Sequence, residues 1–457
     1  MKNKLIYISV ILLLVVFVFN SCKKDRKNRE TKSVKTTISE ILVRSIATKF
    51  KSPSKSPMIG VDSTFFANRT IGDIYSIDDF NGIPAIYVIN YEDNAGFLML
   101  SAEPFHEPVL AFAEEGEILE EDTINPGFEC WLEKTISSIM TVRYGEYDNL
   151  DRAYNGWIEL LNQTGLDEEI IETIFANPTK PKPTDQDPVI NPCRLSHKFQ
   201  FGPLVQTEWG QDWRFGAKIG TGSTGCTTNS TITCTENAGI PWTGCVATAM
   251  AQVMRYWQVP NTYNYSVIPL KAYTTGWNTT AVDEAGKILW DAGKSVCMNY
   301  GCNGSGAQMD DVDDGFKNNF SYASADYLSS FSFNDLVTNI ANDKPIILSG
   351  CAKRDQLSKG WWIFKYKYYY SSECHAWVCD GLYGIKLYRL NYNENSLCSS
   401  FYFYHMNWGW NGDLNGWYYW NDWSSGIIVP SPENTSLPTL INDNYQYAKH
   451  QISNIHP

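Results

Sequence analysis

A cysteine at the head of an apolar helical pattern is the first residue here with chemistry to offer. The run from Gly244-Cys245-Val246 to Trp257 places apolar residues at 246, 250, 253 and 257, one face of an α-helix. Thr243 and Gly244 are suited to its cap. Cys245 is therefore expected at or just inside a helix N-terminus, where unpaired N–H groups and the positive end of the dipole favour an anion. A free thiol has a pKa of about 8.5 and is only a few per cent thiolate at neutral pH. A helix N-terminus with an imidazolium neighbour lowers that by several units. The thiolate is the form that attacks a carbonyl. Packing is the ordinary use of such a cysteine, so a partner base decides the matter.

Histidine is scarce: His106, His197, His375, His405, His450 and His456. Only His375 and His405 stand in strand-like runs downstream of the cysteine. His375 lies in Cys374-His375-Ala376-Trp377-Val378-Cys379-Asp380-Gly381, a short apolar strand ending in a turn signal. His405 lies in Phe401-Tyr402-Phe403-Tyr404-His405-Met406-Asn407-Trp408 and reads as a satisfied strand histidine. A Cys/His pair of this separation is brought together by folding. Asn407 is available to orient the imidazole.

These blocks closely resemble the streptopain-like cysteine peptidases of the papain clan. The resemblance rests on Gly244-Cys245-Val-Ala-Thr-Ala-Met-Ala-Gln, His375-Ala-Trp-Val-Cys-Asp-Gly and Asn407-Trp-Gly-Trp-Asn-Gly. Gly202-Pro-Leu-Val-Gln-Thr-Glu-Trp-Gly-Gln211 and Ala285-Gly-Lys-Ile-Leu-Trp-Asp-Ala-Gly293 add to it, in the family's order over roughly 200–425. It implies an α+β fold: a papain-like catalytic domain with a helical part and an antiparallel β part, behind a small α+β propeptide domain. It implies that Cys245 is the nucleophile and His375 the general base and acid. Gln211 would join the Cys245 N–H in the oxyanion hole, and Asn407 or Trp408 would hold and shield the imidazole. The family usually has Gly where this chain has Cys374.

Other chemistries find less support. Gly220 to Gly225 spells GxGxxG without a preceding strand or following helix, which argues against a dinucleotide site. Ile288 stands where a P-loop needs its first glycine. HExxH and GxSxG are absent. Asp310-Asp311-Val312-Asp313-Asp314 lacks EF-hand spacing and reads as a solvated helix start. No metal or cofactor is expected.

The elements that position the site divide along the chain. Residues 1–21 read as a signal peptide, with Lys2 and Lys4 ahead of an apolar run from Leu5 to Phe19. Ser21-Cys22 followed by Lys23 and Lys24 resembles a bacterial lipoprotein junction with Cys22 lipidated; a plain cleaved signal is the alternative. Residues 22–59 then form a basic, flexible tether. Residues 60–176 hold strands near 85–91, 96–102 and 108–112 and helices near 126–144 and 151–175, and resemble the family's inhibitory propeptide. A proline-rich linker at 177–193 suits processing, and the peptidase domain follows at 194–457.

Export carries twelve cysteines into an oxidising space. Cys226/Cys234, Cys297/Cys302 and Cys374/Cys379 are close enough in sequence to bridge, and connectivity stays open. Residues 1–21 hold two lysines and no acid, so their removal takes the formal charge from −13 to −15. That argues against a nucleic-acid partner. The expected partners are protein or peptide substrates, the chain's own propeptide as inhibitor, and a membrane reached through the lipid. The expected location is the bacterial outer membrane or cell surface, with release after processing open. The alternative is a catalytically silent papain-like surface lipoprotein that binds glycan or protein, for which clustered aromatics such as Trp361-Trp362 and Trp417 to Trp423 would serve.

Overall fold

A computed structural model describes residues 37–51, 69–79, 81–119, 125–144, 150–167, 169–175, 193, 195–219, 226, 234–359, 366–388, 397–419 and 450–457. The expected signal peptide, Cys22 and nearly all of the 177–193 linker lie outside the described residues. Among those described, no helix is long and apolar enough to cross a membrane.

The architecture is α+β, built on antiparallel pairing. In the N-terminal part, β1 (Ile71–Asp78), β2 (Pro84–Tyr91), β3 (Phe97–Ser101) and β4 (Val109–Ala113) form a meander. The last three are the strands expected near 85–91, 96–102 and 108–112. Helix α1 (Glu40–Lys49) precedes them; α2 (Pro126–Tyr144), α3 (Leu150–Thr164) and α4 (Ile170–Ile174) follow. The C-terminal part contains β5 (Leu195–Phe201), α5 (Trp213–Gly216), α6 (Cys245–Trp257), α7 (Thr279–Ser295), β6 (Ser324–Leu328) and α8 (Phe333–Ala341). It ends with β7 (Ile346–Lys359), β8 (Tyr366–Tyr388), β9 (Leu397–Asn407), β10 (Gly416–Tyr419) and β11 (His450–His456). The strand order is β1-β2-β3-β4-β10-β9-β8-β7-β11-β6, with β5 paired to β8.

One sheet thus runs through both parts. The join is β4 against β10, with Phe112 opposite Trp417 and Ala111 opposite Tyr418. The apolar clusters cross it as well: Phe112 and Trp157 pack with Tyr383, Phe403, Trp417 and Tyr419. Phe128, Trp131 and Leu132 of α2 pack with Trp377, Tyr404, Trp408 and Tyr418. Beside the join, Glu107 pairs with Arg152 Nε at 2.9 Å, and across it that guanidinium lies 5.7 and 5.8 Å over the rings of Phe401 and Tyr419. The C-terminal end of α2 is pinned by Arg143, fully buried between Asp79 at 3.0 Å and Glu103 at 3.1 Å. Removing one partner of such a set strands a buried charge.

Side-chain alternation gives β8 two uses. Ala376 and Val378 pack in the cluster formed with α6 and α7. Trp377 and Cys379 pack in the cluster formed with α2.

The tether expectation needs correction over residues 37–51. Ser39 caps α1 by accepting the Leu42 N–H at 3.3 Å, and Val43, Ile46 and Ala47 are buried. Tyr87 and Tyr91 of β2 donate their hydroxyls to the carbonyls of Ile38 and Ala47 at 3.1 and 2.9 Å. Helical spacing of Ile38, Leu42, Val43 and Ile46 supplies the stripe, and the surrounding basic composition concealed it.

The cysteines cross-pair. Cys226 bonds Cys297, Cys234 bonds Cys302, and Cys193 bonds Cys398. The neighbouring pairs expected from sequence do not form; each bridge instead joins segments about seventy or two hundred residues apart. Cys374 is disulfide-bonded, while Cys379 is a free, buried thiol and so is not its partner.

Candidate active site

Cys245 is the first residue of α6. Gly244 precedes it at φ 86° with no side-chain cap, so the first N–H groups of the helix are left for other use. A Cβ at Gly244 would stand 2.7 Å from Met298 Sδ and 3.1 Å from the Ser305 carbonyl oxygen. Glycine is thus required for conformation and for space. The Cys245 sulfur receives the N–H groups of Ala376, Val246 and Cys245 itself. Burial nonetheless pushes its pKa above the ordinary thiol value, with those bonds pulling the other way.

His375 is 3 % exposed. Its Nε2–H donates to the Trp408 carbonyl at 2.7 Å, which leaves Nδ1 as the unprotonated nitrogen of the neutral ring. Trp377 is stacked 6.4 Å away and Trp410 meets the ring edge-on at 5.8 Å. Burial lowers its pKa to about 4, opposed by the Trp408 bond. The cover comes from α2: a Cβ on Gly127 would stand 2.9 Å from His375 Cδ2 and 2.6 Å from Trp408 Cε3. Among the described residues no hydrogen bond joins Cys245 to His375.

Gln211 is 9 % exposed, and its Nε2 is buried without a hydrogen-bond partner among the described residues. Its carbonyl accepts the Thr243 N–H at 3.1 Å, which ties it to the residues leading into Cys245. A buried amide donor left open costs about 1–3 kcal/mol unless a ligand uses it.

Of the two residues expected around the imidazole, only Trp408 meets it here. Trp408 is fully buried, with its indole N–H on the Leu414 carbonyl at 2.9 Å and its own N–H on Asn415 Oδ1 at 2.9 Å. Asn407 is engaged elsewhere. Its Oδ1 accepts from Gln252 Nε2 at 3.2 Å and from the Gly409 N–H at 3.3 Å, and its amide donates to the Thr207 carbonyl. Trp408 stands just past the end of β9 and meets the imidazole with its backbone carbonyl. His405 pairs with Asp380 at 2.6 Å, as a satisfied strand histidine should.

Sequence reasoning passed over Gln252, Thr248, Ser305 and Gly127. Gln252 Oε1 accepts from the Thr207 hydroxyl at 3.0 Å and the Trp209 N–H at 3.3 Å, linking the segment that leads to Gln211 with Asn407. Thr248 and Gln252 are polar residues four apart on an otherwise apolar helix, which is a legible signal. Beside the site lies a cavity of about 770 Å³ lined by Trp410, Asn411 and His405 from one part and by Glu114, Glu115 and Glu117 from the other. Lys271 bridges its rim, 2.7 Å from Glu115 and 2.9 Å from Glu208. No group of three or more His, Cys, Asp or Glu suited to a metal occurs among the described residues.

A helix-borne cysteine, a strand-borne histidine and an N-terminal α+β cap over that histidine define the class: a papain-like thiol fold held with its own cover. The Peptidase C10 family model matches residues 223–267 and 261–418, and the Spi protease inhibitor model matches residues 64–139. The chain thus carries a stretch similar to Peptidase C10 behind a stretch similar to the Spi protease inhibitor. It is 26% identical over 212 residues to streptopain of Streptococcus pyogenes, a match covering 38% of this chain and 45% of that protein. It is 21% identical over 374 residues to the thiol protease/hemagglutinin PrtT of Porphyromonas gingivalis, covering 75% of this chain and 34% of that protein. The matches therefore span less than half the length of either relative. A prointerpain A fragment of Prevotella intermedia aligns at TM-score 0.48 and 17% identity, over 84% of this chain and 99% of that one.

Proposed function

We propose that the protein is an exported cysteine endopeptidase made as a zymogen. In the active form the Cys245 sulfur attacks a peptide carbonyl carbon as its proton passes to His375. The Cys245 N–H and Gln211 Nε2 hold the oxyanion, where each donor is typically worth about 3–4 kcal/mol of barrier. His375 then gives its proton to the leaving amine, and a thioester remains. Water attacks the thioester, His375 takes the water's proton, and the acid leaves as the thiol is restored. Trp408 orients the imidazole through its carbonyl, and Asn407 with Gln252 braces the wall that carries Gln211.

The observation that carries this reading is the unused Gln211 amide beside a helix-first cysteine, under a histidine that the prosegment covers. Cleavage within 177–193 would free the prosegment, rehydrate His375 and raise its pKa toward the ordinary imidazole value. The thiol–imidazole pair could then ionise. Lipidation at Cys22 and retention at the outer membrane or cell surface complete the proposal.

The test uses the chain lacking residues 1–22 and its Cys245→Ala form, with E-64, azocasein and intact-mass measurement under mild reduction. Thiol-dependent loss of roughly the first 180–200 residues is expected, with casein cleavage that the variant lacks. A folded protein that neither labels at Cys245 nor cleaves, even after limited trypsin treatment, would leave the binding-protein reading in its place.

A further inference from the structure

Two disulfides sit on the flank of the nucleophile. Cys226–Cys297 and Cys234–Cys302 join the segment ahead of Cys245 to the loop that follows α7. Paired backbone bonds between Asn299 and Gly306, 2.9 and 3.1 Å, close that loop. Inside it the Ser305 hydroxyl accepts the Gly301 N–H at 3.0 Å and donates to the Trp242 carbonyl at 2.6 Å. The Trp242 N–H returns to the Gly301 carbonyl at 3.4 Å. One residue on, the Thr243 N–H reaches the Gln211 carbonyl at 3.1 Å. Gly244 then presses against Met298 and the Ser305 backbone. The three residues before Cys245 are thus gripped by the bridged loop on one side and by Gln211 on the other. Both proposed oxyanion donors hang from this one support.

We infer that Ser305 is a positioning residue for the oxyanion-binding half of the site, and that the two disulfides make its hold depend on redox state. The inference rests on the peptidase reading above. An external dithiol reduces each bridge by two electrons: the S–S bond becomes two cysteine thiols, and the dithiol closes to its own disulfide. The loop then keeps only its hydrogen bonds. Cys245 must meanwhile stay reduced to act. The working enzyme requires one reduced cysteine beside four oxidised ones, a state that an oxidising exterior with a little monothiol sustains.

The full chain, matured in place, is compared with Ser305→Ala, Ser305→Thr and a form carrying Cys226→Ser, Cys297→Ser, Cys234→Ser and Cys302→Ser. Two rates are read: Cys245 alkylation by iodoacetamide, which passes through no oxyanion, and turnover of a peptide amide. Ser305→Ala is expected to lower kcat on the order of tenfold, with KM and alkylation each within about twofold; Ser305→Thr restores most of the loss. The bridge-free form, or wild type moved from monothiol to dithiothreitol, should show the same split. Wild-type kcat in Ser305→Ala would overturn the inference. So would loss of kcat and alkylation together with a lowered melting temperature, the mark of a merely structural loop. A folded wild type that neither alkylates at Cys245 nor cleaves would remove the peptidase reading itself, and the inference with it.

Discussion

Gly127 is where the cover over His375 can be prised up with a single methyl group. It is the second residue of α2, and an alanine Cβ there would stand 2.6 and 2.8 Å from the Trp408 ring and 2.9 Å from His375. The indole cannot retreat, because it is fully buried and bonded at Nε1. The helix must move instead. Overpacking of this kind costs about 1–3 kcal/mol. The helix-propensity gain of Gly→Ala returns at most about 1 kcal/mol. A net loss of about 1–2 kcal/mol in the closed state raises the open fraction roughly 5–30-fold. Labelling of Cys245 by a fluorescent iodoacetamide in the unprocessed full chain reads that fraction. Cys245→Ala serves as the blank, since Cys130 and Cys379 also carry unoxidised sulfur. Labelling should speed up by the same 5–30-fold. A folded Gly127→Ala protein that labels no faster than wild type would refute the contact as the latch.

Three further outcomes follow from the geometry. His375 is held near pKa 4 in the fold against about 6.5 when unfolded, so the unfolded chain binds the extra proton as pH falls between them. Folding stability of the zymogen should therefore drop by about 3 kcal/mol from above pH 6.5 to pH 4; urea unfolding should show a shallower slope for His375→Ala across that window. Gln211→Ala should cut kcat about 10²–10³-fold while Cys245 alkylation changes little, because only the acyl step needs the oxyanion donor. Gly244→Ala, which meets Met298 at φ 86°, should lose about 1–3 kcal/mol by urea denaturation and slow both reactions.

Much of this was legible in sequence where one local rule decides. Pro126 and the apolar spacing behind it give α2 its range, and alternation with turn signals gives β2, β3 and β4. Cys245 at the start of α6 follows from the apolar spacing of the run behind it. What stayed hidden depends on distant partners. Nothing near Gly127 says that it will rest on His375, since a glycine after a proline is ordinary at a helix start. Cysteines close in sequence suggested local bridges, whereas the fold sets Cys226 and Cys234 against a separate loop. The choice between Asn407 and Trp408 turned on a backbone carbonyl just past the end of β9, and a residue pattern alone does not state that.

The pairing of β4 with β10 has a consequence for what would remain after the proposed cleavage. If residues 37–175 depart as proposed, Trp417 and Tyr418 keep their β9 partners but lose those on β4, and the rings of Phe403, Trp417 and Tyr419 lose the packing supplied by Phe112. The departing piece is therefore also the lid on a short aromatic rim whose hydrogen-bonding groups then face outward. Such a rim recruits foreign strands. Concentrated mature protein is accordingly expected to cohere along β10, and a chain synthesised without its first part must fold with that rim bare from the start.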